Sequence, residues 1–335
     1  MLRHFPQTIG DGKYFRCGYL GVEFFFLLSG FFLAQKLSGE RQAHRAEPFS
    51  VTVRESGRYV FSRVRSIYVF FVLSTLLGAF VTHYTHIQPV HDILRLLSDF
   101  LFLQCLGFPA MSGTGTAWFL SALFVGLLLL APIVRRYFDV FTQYAAPLLA
   151  VGILGVLCRK YGNLNLPNTF WGVCNTGILR AAASLSLGAF VFVLCERLRS
   201  REEHTKAETI FWTLAEVLLY GGVFGYLAFI TPGMTDGVLV LVMAAALTVT
   251  MSRKSALYGA LDNPISIFLG KCSMLLFLNH YYWMHHIGAV TKRLSLSLSD
   301  PQTVLLGFAL SACSAAAVYV AGTLLRKVVR KLRDR

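Results

Sequence analysis

Long apolar runs constrain this chain most strongly, because an α-helix of about 20 apolar residues is what crosses a lipid bilayer. Nine such runs lie at about 18–37, 66–85, 116–134, 143–159, 176–195, 208–230, 236–251, 264–286 and 303–325. Hydrophobic residues make up 55% of the chain and charged residues only 14%, whereas soluble domains carry about 25% charged residues. The sequence therefore predicts an all-α fold, a polytopic membrane helix bundle with about nine transmembrane helices.

A tenth and weaker apolar segment, at 93–109, is not expected to cross the membrane. It carries Arg95 and Asp99, and it ends at Pro109 before the loop AMSGTGTA. Charged side chains are costly in the bilayer core, so we predict a re-entrant or interfacial segment here. With no internal repeat and no low-complexity linker in the sequence, residues 1–335 are expected to form a single membrane domain.

Positive charge gathers in short stretches between the apolar runs. The net charge is +14, but no basic face of a soluble fold accompanies it, which argues against nucleic acid as a partner. Cytoplasmic loops of membrane proteins carry such Lys and Arg clusters, and the stretches that we assign to the cytoplasm are 36–65, 134–138, 196–206, 252–254 and 326–335. All of these stretches fall on the same side of the membrane if segment 93–109 does not cross the bilayer. Residues 1–17 then form an extracytoplasmic stub, and 326–335 a basic cytoplasmic tail.

The stretch GYLGVEFFFLLSGFFLAQKL, Gly18 to Leu37, sets the carboxylate of Glu23 against three phenylalanines. An ionisable side chain in a membrane span costs a few kcal/mol unless it faces protein or water. Two interpretations of Glu23 are open. It belongs to a functional polar site, or it only forms a hydrogen bond to backbone or to a Ser or Thr where helices cross.

The same stretch resembles a known signature. GYLGVEFFFLLSGFFL is similar to the G-x-x-G-V-x-F-F-F-x-L-S-G-F motif on the second helix of the acyltransferase-3 family, integral membrane O-acyltransferases of bacteria and their relatives. Further landmarks of the family follow in order, namely FSRVRSIYVFF (61–71), WFLSALFVGLLL (118–129), LRAAASLSLGAFVF (179–192) and LGKCSMLLFLNHYYW (269–283). The resemblance thus extends over nearly the whole chain.

The resemblance implies ten core spans with both ends in the cytoplasm, so nine spans here imply that the family's first helix is missing upstream of Met1. It also implies a histidine essential for acyl transfer at the end of that helix, and His4 matches it by position. The family's arginine motif, R-x-x-x-R followed by Ile-aromatic-Pro, stands here as Arg63-Val-Arg65-Ser-Ile-Tyr-Val. The changed spacing, and Val69 in place of proline, indicate either altered recognition of the acyl donor or lost activity.

Acyl transfer from a thioester to a sugar hydroxyl needs a base for the hydroxyl proton and donors for the developing oxyanion. Histidine suits the first role because its pKa lies near neutrality, so we predict His4 and Glu23 as catalytic residues of one polar site. The expected topology brings further residues towards the same outer leaflet as site-lining candidates, and these are Trp118, Ser121, Arg180 and His280. A buried arginine is costly unless it is paired, so Arg180 is expected to bind a carboxylate or a backbone carbonyl.

Arg63 and Arg65 lie at the cytoplasmic side of the second predicted span. A guanidinium group can hold a phosphate with two hydrogen bonds, so both are candidates for binding a cytoplasmic acyl-coenzyme A donor, acetyl-CoA in the first instance. The alternative is that they only set the topology, since positive residues flank the cytoplasmic ends of membrane spans generally.

The favoured function is transfer of an acyl group from acyl-CoA to a hydroxyl of an extracytoplasmic carbohydrate or lipid-linked glycan. The expected location is the plasma membrane of a bacterium, with membrane lipid around the bundle. No metal is expected to take part. Two alternatives remain, a transporter or flippase built from the same helices, and an inactive truncated relative with a structural role. Inverted repeats with broken helices would favour transport, and the sequence shows no such symmetry.

Overall fold

A computed structural model describes residues 14–83, 89–108, 115–167, 169–200 and 205–333. Helices dominate these ranges. The sheet within them is a short hairpin of two-residue strands, Phe170–Trp171 and Cys174–Asn175. The helices are α1 (Gly21–Ser38), α2 (Arg41–Ala46), α3 (Phe49–His83), α4 (Pro89–Phe100), α5 (Ala117–Arg136), α6 (Phe138–Val140), α7 (Ala146–Tyr161), α8 (Thr176–Arg199), α9 (Lys206–Phe229), α10 (Asp236–Ser252), α11 (Ala256–Leu261), α12 (Pro264–Arg293) and α13 (Asp300–Arg333). A π-helical turn, Phe141–Ala145, joins α6 to α7.

Each of the nine predicted spans lies in helical structure over nearly all of its described residues, which confirms the all-α membrane bundle. Within the described residues, seven helices are long and apolar enough to cross a membrane. The apolar helix α10 has only 17 residues, and α12 has 30 residues but is interrupted by polar side chains. In the weak segment 93–109, α4 has 12 residues, or about 18 Å of helix against a bilayer core of about 30 Å. It is too short to cross.

The polar stretch 38–65 differs from the expected loop, because α3 already begins at Phe49 and runs for 35 residues. Backbone N–H groups of the first turn bond to the carbonyl oxygen of Pro48, and Glu55 pairs with Arg54 and Arg58 at 3.3 and 2.6 Å. Local ion pairs of this kind support a solvated helix. The second predicted span is therefore the last part of a longer helix.

The chain divides into two compact units. The first, called here the α8 unit, comprises Phe15–Phe61 and Ala122–Asn263. The second, called the α12 unit, includes Ser62–Ser121 and Pro264–Arg335.

In the α8 unit, α1 and α8 approach so closely that their backbones touch. A Cβ atom on Gly30 would overlap the carbonyl of Leu185, and one on Gly188 would overlap the carbonyl of Leu27. Small residues permit such packing in membranes, where van der Waals contact drives helix association. These two glycines therefore set the distance between α1 and α8.

Basic side chains of the α8 unit gather at the end of the bundle where α1 finishes. Arg135 holds Glu47 with two hydrogen bonds of 2.6 and 2.8 Å, and Arg136 donates to the carbonyl oxygen of Glu47 at 2.7 Å. At the same end Arg41 lies 3.3 Å from Asp139 across a polar cleft. That this basic end faces the cytoplasm stays a prediction.

In the α12 unit, α12 packs along α13, and Trp283 donates a hydrogen bond of 2.7 Å to Ser314. The beginning of α5 belongs to the same unit, and Phe119 meets Phe277 edge to face with ring centroids 5.3 Å apart. Further along, Phe70 of α3 stacks on Tyr319.

Candidate functional site

The carboxylate of Glu23 lies in the first turn of α1 and is fully buried. Its Oε1 accepts a hydrogen bond of 2.6 Å from Nε of Arg180, and Nη2 of the same guanidinium lies 2.6 Å from that oxygen. Its Oε2 accepts from the hydroxyl of Ser184, also at 2.6 Å. Both carboxylate oxygens are therefore engaged, and the expectation that Arg180 needs a partner is confirmed.

Local structure explains why these three side chains meet. Arg180 and Ser184 are four residues apart on α8 and so lie on one face of that helix, one turn apart. The glycine contacts between α1 and α8 bring Glu23 within reach of both. Sequence analysis singled out Glu23 and Arg180 but missed Ser184, for which the four-residue spacing from Arg180 was the available signal.

Charge and burial define what this cluster can do. The side chains of Arg180 and Glu23 are 1% and 0% exposed, and charges removed from water persist only when they are paired and hydrogen-bonded. A carboxylate held in this way keeps lone pairs that can orient an N–H donor such as an imidazole. The neighbouring guanidinium offers positive charge to a developing oxyanion.

A second buried carboxylate, Asp236, was not found by sequence analysis. It is the first residue of α10 and is fully buried. Tyr19, four residues before Glu23, donates its hydroxyl to Asp236. An acidic residue at the start of a helix is commonly explained by its favourable interaction with the helix dipole alone. For this reason the sequence did not single out Asp236 as part of a polar site.

The α12 unit contains three of the predicted site-lining residues. Ser121 is fully buried, and its hydroxyl donates to the carbonyl of Phe102 at 2.6 Å and accepts from the backbone N–H of Cys105 at 3.1 Å. Those bonds fix the segment after α4 against the beginning of α5. Trp118 is half-buried, and its carbonyl accepts from Sγ of Cys105 at 3.3 Å.

His280, the third of them, is 3% exposed. Its Nδ1 lies 2.8 Å from the carbonyl oxygen of Phe277, so the backbone of its own helix holds the ring. The next residue, Tyr281, packs so closely on Gly115 that a Cβ there would overlap its ring. His280 and the beginning of α5 thus belong to the same part of the α12 unit.

Beside His280, sequence analysis missed a buried polar cluster that joins α3 to α12. Asn279 donates to Oγ of Ser74 at 2.9 Å, and its carbonyl oxygen accepts from the hydroxyl of Tyr282 at 2.7 Å. These bonds fix the register of α12 on α3. In the described part of the chain, no three His, Cys, Asp or Glu side chains gather as a metal-ion site.

Arg63 and Arg65 lie on α3 with exposed side chains, so both are accessible to a ligand. His4 lies outside the described residues. The structure thus brings Glu23 together with Arg180 in the α8 unit, and it places Trp118, Ser121 and His280 in the α12 unit. One site containing all of them stays a prediction.

The fold and the buried ion pair define a class: a multi-pass α-helical membrane protein with an intramembrane charged cluster. The profile of the acyltransferase-3 family, described as an acyltransferase domain, matches residues 2–321. The chain belongs to this family and is a membrane acyltransferase. No curated protein and no solved structure matches it.

Proposed function

We propose that the protein is a membrane O-acyltransferase that moves an acyl group, acetyl in the first instance, from cytoplasmic acyl-CoA to a hydroxyl of an extracytoplasmic glycan or lipid-linked sugar. The observation that carries this proposal is the ion pair between Glu23 and Arg180. It lies in the segment that resembles the family signature, and ionisable residues kept inside a membrane bundle generally serve a function.

In the proposed reaction, the acceptor hydroxyl oxygen bonds to the carbonyl carbon of the thioester while the carbon–sulfur bond breaks. Coenzyme A leaves as the thiolate and is protonated to the thiol. His4 takes the proton of the hydroxyl, and Glu23 orients the imidazole and stabilises its charged form, as a carboxylate does for a catalytic histidine elsewhere. Arg180 in turn holds Glu23 in one rotamer.

Donor binding is assigned to Arg63 and Arg65. Both are exposed on α3, and a guanidinium matches the geometry of a phosphate oxygen pair better than an ammonium does. Coenzyme A carries several phosphate charges, so two neighbouring arginines suit it.

The acceptor is placed on the side where Glu23 lies, opposite the basic end of the α8 unit. In a bacterial plasma membrane this is the outer face, so the product is an O-acetylated polysaccharide or glycolipid of the cell envelope. Mass spectrometry of surface glycans from cells with and without the gene tests the proposal. A glycan that loses one acetyl mass when the gene is deleted, and regains it on complementation, supports it. Identical glycans in both strains contradict it.

A further inference from the structure

The chain that leads into α1 is held by the connection between α9 and α10. Three contacts follow one another at every second residue, and all of them join side chains or backbone of 15–19 to 228–236. They are the backbone N–H of Phe15 to the carbonyl of Ala228 at 2.8 Å, Sγ of Cys17 to the carbonyl of Ile230 at 3.2 Å, and the hydroxyl of Tyr19 to Asp236. The start of α1 is therefore anchored to another part of the bundle.

Asp236 is the fixed end of this anchor. Its Oδ2 accepts from Tyr19 and from the backbone N–H of Leu164 at 2.9 Å. Its Oδ1 accepts from the hydroxyl of Tyr226 at 3.1 Å and from the backbone N–H of Gly233 at 3.3 Å. A buried carboxylate with donors on both oxygens is strongly held, so Asp236 has little freedom to move.

Tyr19 transmits that position to the site. It lies in a short 3₁₀ turn, Gly18–Leu20, that runs directly into α1 at Gly21, and it precedes Glu23 by four residues. Tyr19 binds one buried carboxylate, Asp236, and the short turn that contains it leads directly to the other, Glu23. The two buried carboxylates thus belong to one connected polar region at the start of α1.

We propose that Asp236 and Tyr19 are positioning residues for Glu23. Together they fix the height and rotation of the first turn of α1, so that Glu23 meets Arg180 and Ser184 in one geometry. The proposal rests on the proposed function only in treating Glu23 as part of the reacting site. A misplacement of about 1 Å in such a site can cost roughly a hundredfold in rate.

The first test compares two tyrosines that bind the same carboxylate. Tyr19→Phe removes the hydroxyl in the turn that leads into α1, whereas Tyr226→Phe removes the hydroxyl on α9, which does not carry Glu23. We expect Tyr19→Phe to lower kcat roughly tenfold with KM for acetyl-CoA unchanged, and Tyr226→Phe to change kcat by less than about twofold. Equal losses of kcat in the two variants would show that Asp236 only stabilises the fold, and this would overturn the proposal.

The second test needs no activity. Midpoints of thermal unfolding in detergent are measured for Tyr19→Phe, Ser184→Ala and the double variant, and for a matched cycle with Tyr226→Phe in place of Tyr19→Phe. Coupled substitutions give non-additive shifts, whereas independent ones add. We expect the Tyr19 cycle to be non-additive and the Tyr226 cycle to be additive. Additive shifts in both cycles would refute the positioning role, whether or not the protein proves to be an acyltransferase.

Discussion

Glu23 and Arg180 are 157 positions apart in the sequence, yet Nε of the arginine lies 2.6 Å from Oε1 of the glutamate inside the α8 unit. Neither side chain is exposed by more than 1%. Each charge therefore depends on the other, because an unpaired ion in an apolar interior is several kcal/mol less stable than in water.

The pair predicts an unusual pattern of stability. Glu23→Gln and Arg180→Gln each leave one buried charge alone, and each should lower the free energy of unfolding by about 3–5 kcal/mol. The double variant removes both charges and should recover most of that loss. Denaturant unfolding of the three purified variants in detergent measures this. If the double variant is as unstable as the sum of the single ones, the pair is not held as the structure shows.

The contact between α1 and α8 predicts intolerance to a single methyl group. Gly30→Ala and Gly188→Ala each place a Cβ against backbone carbonyls that cannot rotate away, so we expect at least about 1–3 kcal/mol of destabilisation. Gly152→Ala on α7 is the matched control, because a Cβ there meets nothing within 4 Å. Thermal unfolding of the three variants decides, and unchanged midpoints for Gly30→Ala and Gly188→Ala would contradict the close approach.

If Arg63 and Arg65 bind the acyl donor, replacing either with lysine should weaken donor binding even though the charge is kept. Arg63→Lys and Arg65→Lys keep the positive charge but lose the two-pronged contact with phosphate, so affinity for acetyl-CoA should fall roughly tenfold. Arg58→Lys, also on α3 and 66% exposed, should leave affinity unchanged. Isothermal titration gives the three dissociation constants. Wild-type affinity in both test variants would leave membrane topology as the sufficient role of Arg63 and Arg65.

The pair of Glu47 with Arg135 predicts a dependence of stability on pH. The Arg135 guanidinium lowers the pKa of the Glu47 carboxyl below its usual value of 4.5, so the folded state favours the ionised form. This contribution is fully present above the unfolded pKa of about 4.5 and is lost as pH falls through the lower folded pKa.

For a partly exposed pair the contribution is about 1 kcal/mol or less. The difference in unfolding midpoint between wild type and Glu47→Gln should therefore be constant from pH 7 to pH 5 and shrink below about pH 4.5. A difference that persists unchanged at pH 3 would show that the carboxylate is not what stabilises this contact.

Sequence patterns predicted the helices well because an apolar run of spanning length needs no information from the rest of the chain. They missed the beginning of α3, since residues 49–65 are stabilised by ion pairs within the helix and look like a polar loop. For the site, the cost of a buried charge predicted that Arg180 has a partner of the right kind. Which carboxylate it meets is set by the backbone contact of two distant glycines. The pairing of Tyr19 with Asp236 is likewise not predictable from local sequence, because it depends on how α9 and α10 are connected.

The central claim is that the buried pair of Glu23 and Arg180 serves acyl transfer, and one measurement tests it most directly. Purified protein is reconstituted in vesicles with surface glycan as acceptor, and transfer of radiolabel from [14C]acetyl-CoA is compared between wild type and the Glu23→Gln, Arg180→Gln double variant, after unfolding has shown that both are folded. We predict labelled glycan with the wild type and at least about a hundredfold slower transfer with the double variant. Equal transfer by both proteins, or none by either, would contradict the account.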